Sequence, residues 1–361
     1  MKIKKLNFAA VLILIILSAL IFFLSPTSKS PKLEGTNDEP TYKAKITDIA
    51  ELGSQKNIAL TILNGDKEGE QVVTVEDEQF VLNQRNFKIG DKVLIVYLDN
   101  SGSYYIYDFV RSNSLLLLFV IFLAAVVVVS GLGGVGAIIG MAFSFLVLFK
   151  LTLPFILSGI SPVLAAVLSG FLIIPVTFFL SHGLNKKTLI AMAGTVITLI
   201  LVYILAYAFI HFGNLTGLSS EEGSFLRPEV IERIDFRGLV LAGMIIGIIG
   251  VLDDITISQA AIVQQLKETK KNIKFKELYF RSMKVGKDHI SSMVNTLILI
   301  YAGAALPLLL LFVDYQNSFN EIINIEMISE EIIRTLIGSL GLILAVPVTT
   351  AIAAFDFSKS N

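Results

Sequence analysis

The sequence predicts a polytopic α-helical membrane protein with about eight transmembrane helices and a small all-β domain after the first of them. Three observations predict it. The 361 residues are 54% hydrophobic and 16% charged, with a mean hydropathy of +0.74, whereas soluble domains carry about 25% charged residues. Apolar runs near the ~20 residues that cross a bilayer occur at 6–24, 114–132, 134–157, 160–181, 188–212, 238–257, 290–313 and 334–355. Between the first two runs, residues 41–111 change to the period of strands.

At the N-terminus, Met1-Lys2-Ile3-Lys4-Lys5 before an apolar run fits either a signal peptide or an anchor. The run is long, and Ser25-Pro26-Thr27-Ser28 offers no small-x-small cleavage site, so residues 1–24 read as an uncleaved transmembrane anchor. Residues 25–40, opening with Ser25-Pro26 and closing at Pro40, form a polar linker.

Five β-branched and aromatic runs follow: Tyr42–Ile49, Asn57–Leu63, Gln71–Val75, Lys92–Leu98 and Tyr104–Val110. They are separated by Asn64-Gly65-Asp66, Gly90-Asp91 and Asn100-Ser101-Gly102. Five strands in this length suggest a closed, OB-like barrel over 41–111. Residues 41–110 hold seven basic and eleven acidic side chains, a net charge of −4. Single-stranded nucleic acid requires a basic groove, so a nucleic-acid partner is excluded. Tyr104, Tyr105 and Tyr107 are either a contact surface for an envelope protein or ordinary strand aromatics.

The remainder, 112–361, reads as a seven-helix membrane domain, with a tight hairpin at Gly131–Gly136 between its first two spans. Lys186 and Lys187, together with the basic stretch 264–287, fall on the same side as Lys2, Lys4 and Lys5. The loops 212–237 and 314–333 on the other side are acidic. The positive-inside rule then places both termini in the cytoplasm and 25–111 outside. With Ile273, Phe275, Leu278 and Met283 spaced through it, the stretch 264–287 has the pattern of an interfacial helix on anionic lipid.

Asp253-Asp254 is the most informative feature, because carboxylates inside an apolar span are expensive and mark functional sites. Counted from Gly238 at 1.5 Å per residue, Asp253 lies about 22 Å down, in the cytoplasmic third of the hydrocarbon. Asp254 shares a face with Ser258, and Asp253 aligns with Thr256. The competing reading is that both aspartates cap the helix and reach water. In the next span, Asp288, Ser291, Ser292 and Asn295 recur at helical spacing, with Thr296 beside them, as a polar stripe or as interhelical hydrogen-bond glue. His289 reads either as an ordinary interfacial histidine or, in a functional role, as a proton-exchanging neighbour of the acids, and Gly303-Ala304-Ala305-Leu306-Pro307 is expected to kink the helix at Pro307.

The candidate proton or ion sites are therefore Asp253, Asp254, Asp288 and His289, with Thr256, Ser258, Ser292, Asn295 and Thr296 lining the path. No metal or cofactor is expected. There is no cysteine, and His182, His211 and His289 show no HxxxH or HExxH spacing. Gly131, Gly133, Gly134, Gly136 and Gly140 mimic a dinucleotide fingerprint without its βαβ context, and no GxxxxGK[ST] segment occurs.

On Gly247-Ile248-Ile249-Gly250-Val251-Leu252-Asp253-Asp254-Ile255-Thr256-Ile257-Ser258-Gln259, Gly286-Lys287-Asp288-His289-Ile290-Ser291-Ser292-Met293-Val294-Asn295-Thr296-Leu297 and Tyr301-Ala302-Gly303-Ala304-Ala305-Leu306-Pro307, the chain resembles the YibE/F family of polytopic bacterial membrane proteins. The resemblance implies a bacterial cytoplasmic membrane and no established reaction. A mechanistic likeness to SecD/SecF-type membrane domains rests on the order of an Asp-Asp helix, a basic stretch and a Ser/Asn/Thr-rich helix. In those proteins membrane carboxylates take part in proton-driven work. Four spans separate the outside domain from the Asp-Asp helix here, against two in SecF-like proteins.

Three functions follow. The leading one is a transporter or ion-coupled membrane machine. The second is a non-transporting envelope assembly protein acting through the outside domain, as a homo-oligomer or with an envelope partner. An intramembrane aspartyl protease pairing Asp253 or Asp254 with Asp288 ranks last, because Asp253 follows Gly250-Val251-Leu252 rather than a GxGD signature. The chain is accordingly expected not to be an enzyme.

Overall fold

The computed structural model describes residues 41–52, 55–77, 86–98, 102–219, 231, 233–314 and 319–359. The anchor 1–24 and linker 25–40 lie outside the described residues. The chain divides into two compact units, 29–125 and the remainder, taken here one at a time.

The first unit contains β1 (Thr41–Leu52), β2 (Gln55–Ile62), β3 (Gln71–Asp77), β4 (Lys92–Leu98) and β5 (Ser103–Phe109). They form one antiparallel sheet in the order β3-β2-β1-β4-β5. Strict alternation specifies its core: Tyr42, Ala44 and Ile46 on β1, Ile58, Leu60 and Ile62 on β2, and Val93 and Ile95 on β4 are buried together. Between β2 and β3, Gly65 sits at φ +88 against the Tyr42 ring, whose hydroxyl donates to Asp66 at 3.0 Å.

Among the described residues, backbone pairing leaves β3 and β5 as edges and does not close the barrel expected from the sequence. Among the described residues the two edge strands meet through one side-chain bond, Thr74 Oγ1 to the Tyr104 carbonyl at 2.6 Å. The tyrosines of β5 separate by the strand period. Tyr104 turns in, accepting a bond from Lys67 Nζ at 2.9 Å, whereas Tyr105 and Tyr107 are exposed.

The helices are α1 (Ser112–Val147), a π-helical turn (Leu148–Thr152), α2 (Leu153–Leu157), α3 (Pro162–His182), α4 (Lys186–Phe212), α5 (Phe236–Thr269), α6 (Phe275–Ala304), α7 (Leu306–Asp314), α8 (Phe319–Ile323) and α9 (Glu326–Lys359). Gly131, at φ 58 and ψ −137, breaks α1 where the sequence predicts a hairpin. Among the described residues, six segments are long and apolar enough to cross a membrane: Ser112–Gly131, Gly133–Leu157, Pro162–His182, Lys186–Phe212, Phe236–Thr269 and Glu326–Lys359.

The expected span 290–313 is not one of them. The run is divided at Ala305 into α6 and α7, and the polar residues from Asp288 to Thr296 dilute the apolar part of α6. Pro307 has no N–H to bond back to Gly303 and disfavours helix at the preceding residue, which accounts for a break just ahead of it.

In the second unit, α5 is central and packs on α3, α4, α6 and α9. Close contacts give the helix directions. Lys186 pairs with Asp356 at 2.8 Å, Gly194 lies against Thr349, and Val202 lies against Gly341, so α4 and α9 are antiparallel. Gln259 bonds Thr350, and Ile248 abuts Gly341, so α5 and α9 are parallel. Glycine permits these approaches. A methyl at Gly194 would collide with Thr349 Oγ1, and one at Gly286 of α6 would sit 2.5 Å from Val346 Cγ1.

Candidate functional site

Two polar clusters lie along α5, α6 and α9. The inner one is built on the turns of α5 that carry the acids. Leu252, Ile255, Thr256, Gln259 and Val263 recur at helical spacing and are all fully buried. Thr256 Oγ1 lies 2.9 Å from Thr195 Oγ1 of α4, and it bonds the Leu252 carbonyl as well. Gln259 Nε2 donates to Thr350 Oγ1 of α9 at 2.7 Å and to the Ser282 carbonyl of α6 at 3.3 Å. One amide therefore ties three helices together in a water-poor interior. Its Oε1 accepts no hydrogen bond, and neither Ser282 Oγ nor Thr349 Oγ1 has a partner.

Asp253 is half-buried, with Oδ1 enclosed and without a hydrogen-bond partner. An enclosed carboxyl oxygen lacking a donor is costly when ionised, and a proton or a cation relieves that cost. Asp254, one residue on, is exposed and extends the exposed glycine stripe Gly243, Gly247, Gly250. The two aspartates thus sit in different environments on adjacent faces.

The other sequence-predicted residues divide between core and surface. Thr256 is in the core; Ser258 and His289 are half-buried. Asp288, Ser292, Asn295, Thr296 and Pro307 are exposed, so the α6 stripe faces out of this unit. Ser291 Oγ and Thr296 Oγ1 bond carbonyls of their own helix, those of Lys287 and Ser292. Among the described residues, no hydrogen bond or ion pair joins Asp253 or Asp254 to Asp288 or His289. No group of three or more His, Cys, Asp or Glu with metal-holding geometry occurs among them either.

The outer cluster was not anticipated. Glu330 is 6% exposed and pairs with Arg334 at 2.5 Å, while Arg334 Nε lies 3.4 Å from Glu331. Ser219 Oγ donates to Glu330 Oε2 at 3.2 Å. Tyr301 of α6 is half-buried nearby, with its ring against Gly338 and its hydroxyl at Gly247 of α5. The i,i+4 spacing of Glu330 and Arg334 was visible in the sequence, but the boundary drawn between the loop 314–333 and the run 334–355 separated the two. One turn earlier, Glu326 Oε1 accepts from Thr216 N, Thr216 Oγ1 and Gly217 N, fastening 216–217 to the start of α9.

The family model for YibE/F-like proteins matches residues 118–359, which covers all of α2 to α9 and both clusters. The chain belongs to the YibE/F-like family. With six long apolar helices among the described residues, this family membership marks a multi-pass membrane protein. No curated protein and no solved structure matches the chain. Nothing in these comparisons supports the likeness to SecD/SecF-type domains. Within this YibE/F-like chain, the matched region includes every candidate site residue and leaves out the five strands of the sheet.

Proposed function

We propose that this YibE/F-like protein is a proton- or cation-coupled transporter, or a membrane machine driven by such an ion, with Asp253 as the ion-carrying group. One observation supports this above the others: a carboxyl oxygen enclosed without a donor, inside a helix long enough to span the membrane. A helix-capping aspartate would instead bond backbone N–H groups of a first turn, as Asp235 does with Gly238 N at 3.0 Å. Within two turns of Asp253 on α5, Thr256 and Gln259 tie this helix to α4, α6 and α9.

The positive-inside rule supports a cytoplasmic side for the basic Lys186 end. In this reading the protein sits in a bacterial cytoplasmic membrane with residues 25–111 outside it. The test is ΔpH-driven proton and cation flux in proteoliposomes. Wild type carries flux and Asp253→Asn does not, although it inserts normally. Equal flux in the two proteins sinks the proposal.

An assembly role through the sheet unit is the second reading. It is favoured by exposed Val73, Val75, Tyr105 and Tyr107 on its edge strands. It requires that deleting 41–110 abolish function while Asp253→Asn leaves it intact.

A further inference from the structure

One face of α6 is left uncovered by the helices around it. Lys284, Asp288, Ser292, Asn295, Leu299 and Gly303 recur every three or four residues, so they share that face, and all six are exposed. Leu278, Ser282, Gly286 and Leu297 turn the other way and are buried. Contacts with α9 give the depth of the stripe. Gly286 lies against Val346, while Leu297 and Tyr301 lie against Gly338. Residues 288–296 therefore pass beside 338–346, the middle of the 34-residue apolar helix Glu326–Lys359. At the middle of a span, lipid offers no partner to a carboxylate or an amide, so leaving these groups against it is expensive.

Bonds within the chain do not relieve that cost. Ser291 and Thr296, at the margins of the stripe, bond carbonyls of their own helix. Among the described residues, the side chains of Lys284, Asp288, Ser292 and Asn295 make no hydrogen bond or ion pair. The stripe is, however, complementary to itself. Two copies inserted the same way meet at equal depths across a two-fold axis along the membrane normal. Asn295 then faces the partner subunit's Asn295, and an amide, with donors and an acceptor, bonds another amide. The Ser292 hydroxyls pair in the same manner. Lys284 lies one turn, about 6 Å, from Asp288, so each lysine reaches the opposite copy's aspartate along its flexible stem. Further along, a methyl added at Gly303 would meet nothing within 4 Å, which leaves room for close approach. The 4-4-3-4-4 spacing keeps these positions facing one parallel partner, with the asparagine fixing the register.

We propose that this face of α6 is an interface between two copies of the chain, packed as a parallel two-fold pair along a seam from Lys284 to Gly303. The interface is separate from Asp253 and does not depend on ion transport.

The chain has no cysteine, so single introduced thiols report the seam directly. Full-length Ser292→Cys, Asn295→Cys and Leu299→Cys are oxidised with copper phenanthroline in native membranes and run on non-reducing gels. Each is expected to give a disulfide-linked dimer. Ile300→Cys, about 100° further round the helix, should stay monomeric although Ile300 is exposed, and so should Ile204→Cys on α4. In detergent, Lys284→Asp should weaken dimerisation at least tenfold by native mass spectrometry, and Lys284→Asp with Asp288→Lys should restore it. Cross-linking at 300 and 204 equal to that at 295 would mean random collision. Thiols at 292 and 295 that stay monomeric but react with a membrane-impermeant maleimide would mean a water-lined cleft. Thiols that do neither would mean a face covered by lipid or by another protein. Each of these three results overturns the proposal. The cysteine variants sit at exposed positions, so they remain readable even if the charge variants fail to insert.

Discussion

Asp253 and Asp254 are neighbours in sequence and unequal in structure. The first has an enclosed oxygen without a donor, and the second is exposed. Replacing Asp253 with Asn should therefore abolish coupled flux, while Asp254→Asn should retain most of it; proteoliposome assays of the two variants compare them directly. At the outer cluster, Arg334→Leu strands Glu330, which is 6% exposed. Breaking a buried pair costs 3–5 kcal/mol, and about 2 kcal/mol is expected here because Arg334 is a third exposed. Thermal unfolding in detergent measures it. The acids of α5 were legible because a charge in an apolar run stands out at once. Gln259 was not, since its meaning depends on Thr350, distant in sequence and brought close only by the parallel packing of α5 and α9.

The glycines of the helices belong to two groups. Gly194 and Gly286 lie where α4 and α6 press on α9, whereas Gly243 and Gly250 have nothing within 4 Å of an added methyl. Gly194→Ala should destabilise by about 1–3 kcal/mol through overpacking, while Gly243→Ala stays within about 0.5 kcal/mol of wild type; chemical or thermal unfolding separates them. The turn between α5 and α6 carries a pH dependence. Glu277 is held below its usual value chiefly by the bond from Lys270, with Arg281 also paired to it. Its stabilising effect is present above the usual carboxylate range and lost as pH falls through the lowered value. Amide exchange in 266–281 should accelerate at the acid end of that window and not above it. Helix positions were largely legible from apolar runs. The exceptions, α6 with its break at Ala305 and the charged first turns of α9, are where apolar content and helix formation part company. Ile328, Ile333 and Ile337 keep α9 packed across those turns.

At the scale of the whole molecule, the family match covers residues 118–359, and the sheet is read from its own alternation. Membrane class, the strand segment and the Asp-Asp helix were all visible as one-dimensional patterns. The open pairing order of the described strands and the outward facing of the α6 stripe were not, because both depend on which elements meet. The central claim is that Asp253 carries the transported proton or cation, and carboxyl chemistry tests it most directly. Dicyclohexylcarbodiimide, which adds to protonated carboxyls in apolar surroundings, should label Asp253 in the intact protein in membranes, as mapped by peptide mass spectrometry. Labelling should block flux in proportion to occupancy and spare Asp254 and Asp288. Label spread evenly over the three aspartates, or full labelling of Asp253 with undiminished flux, would contradict the account.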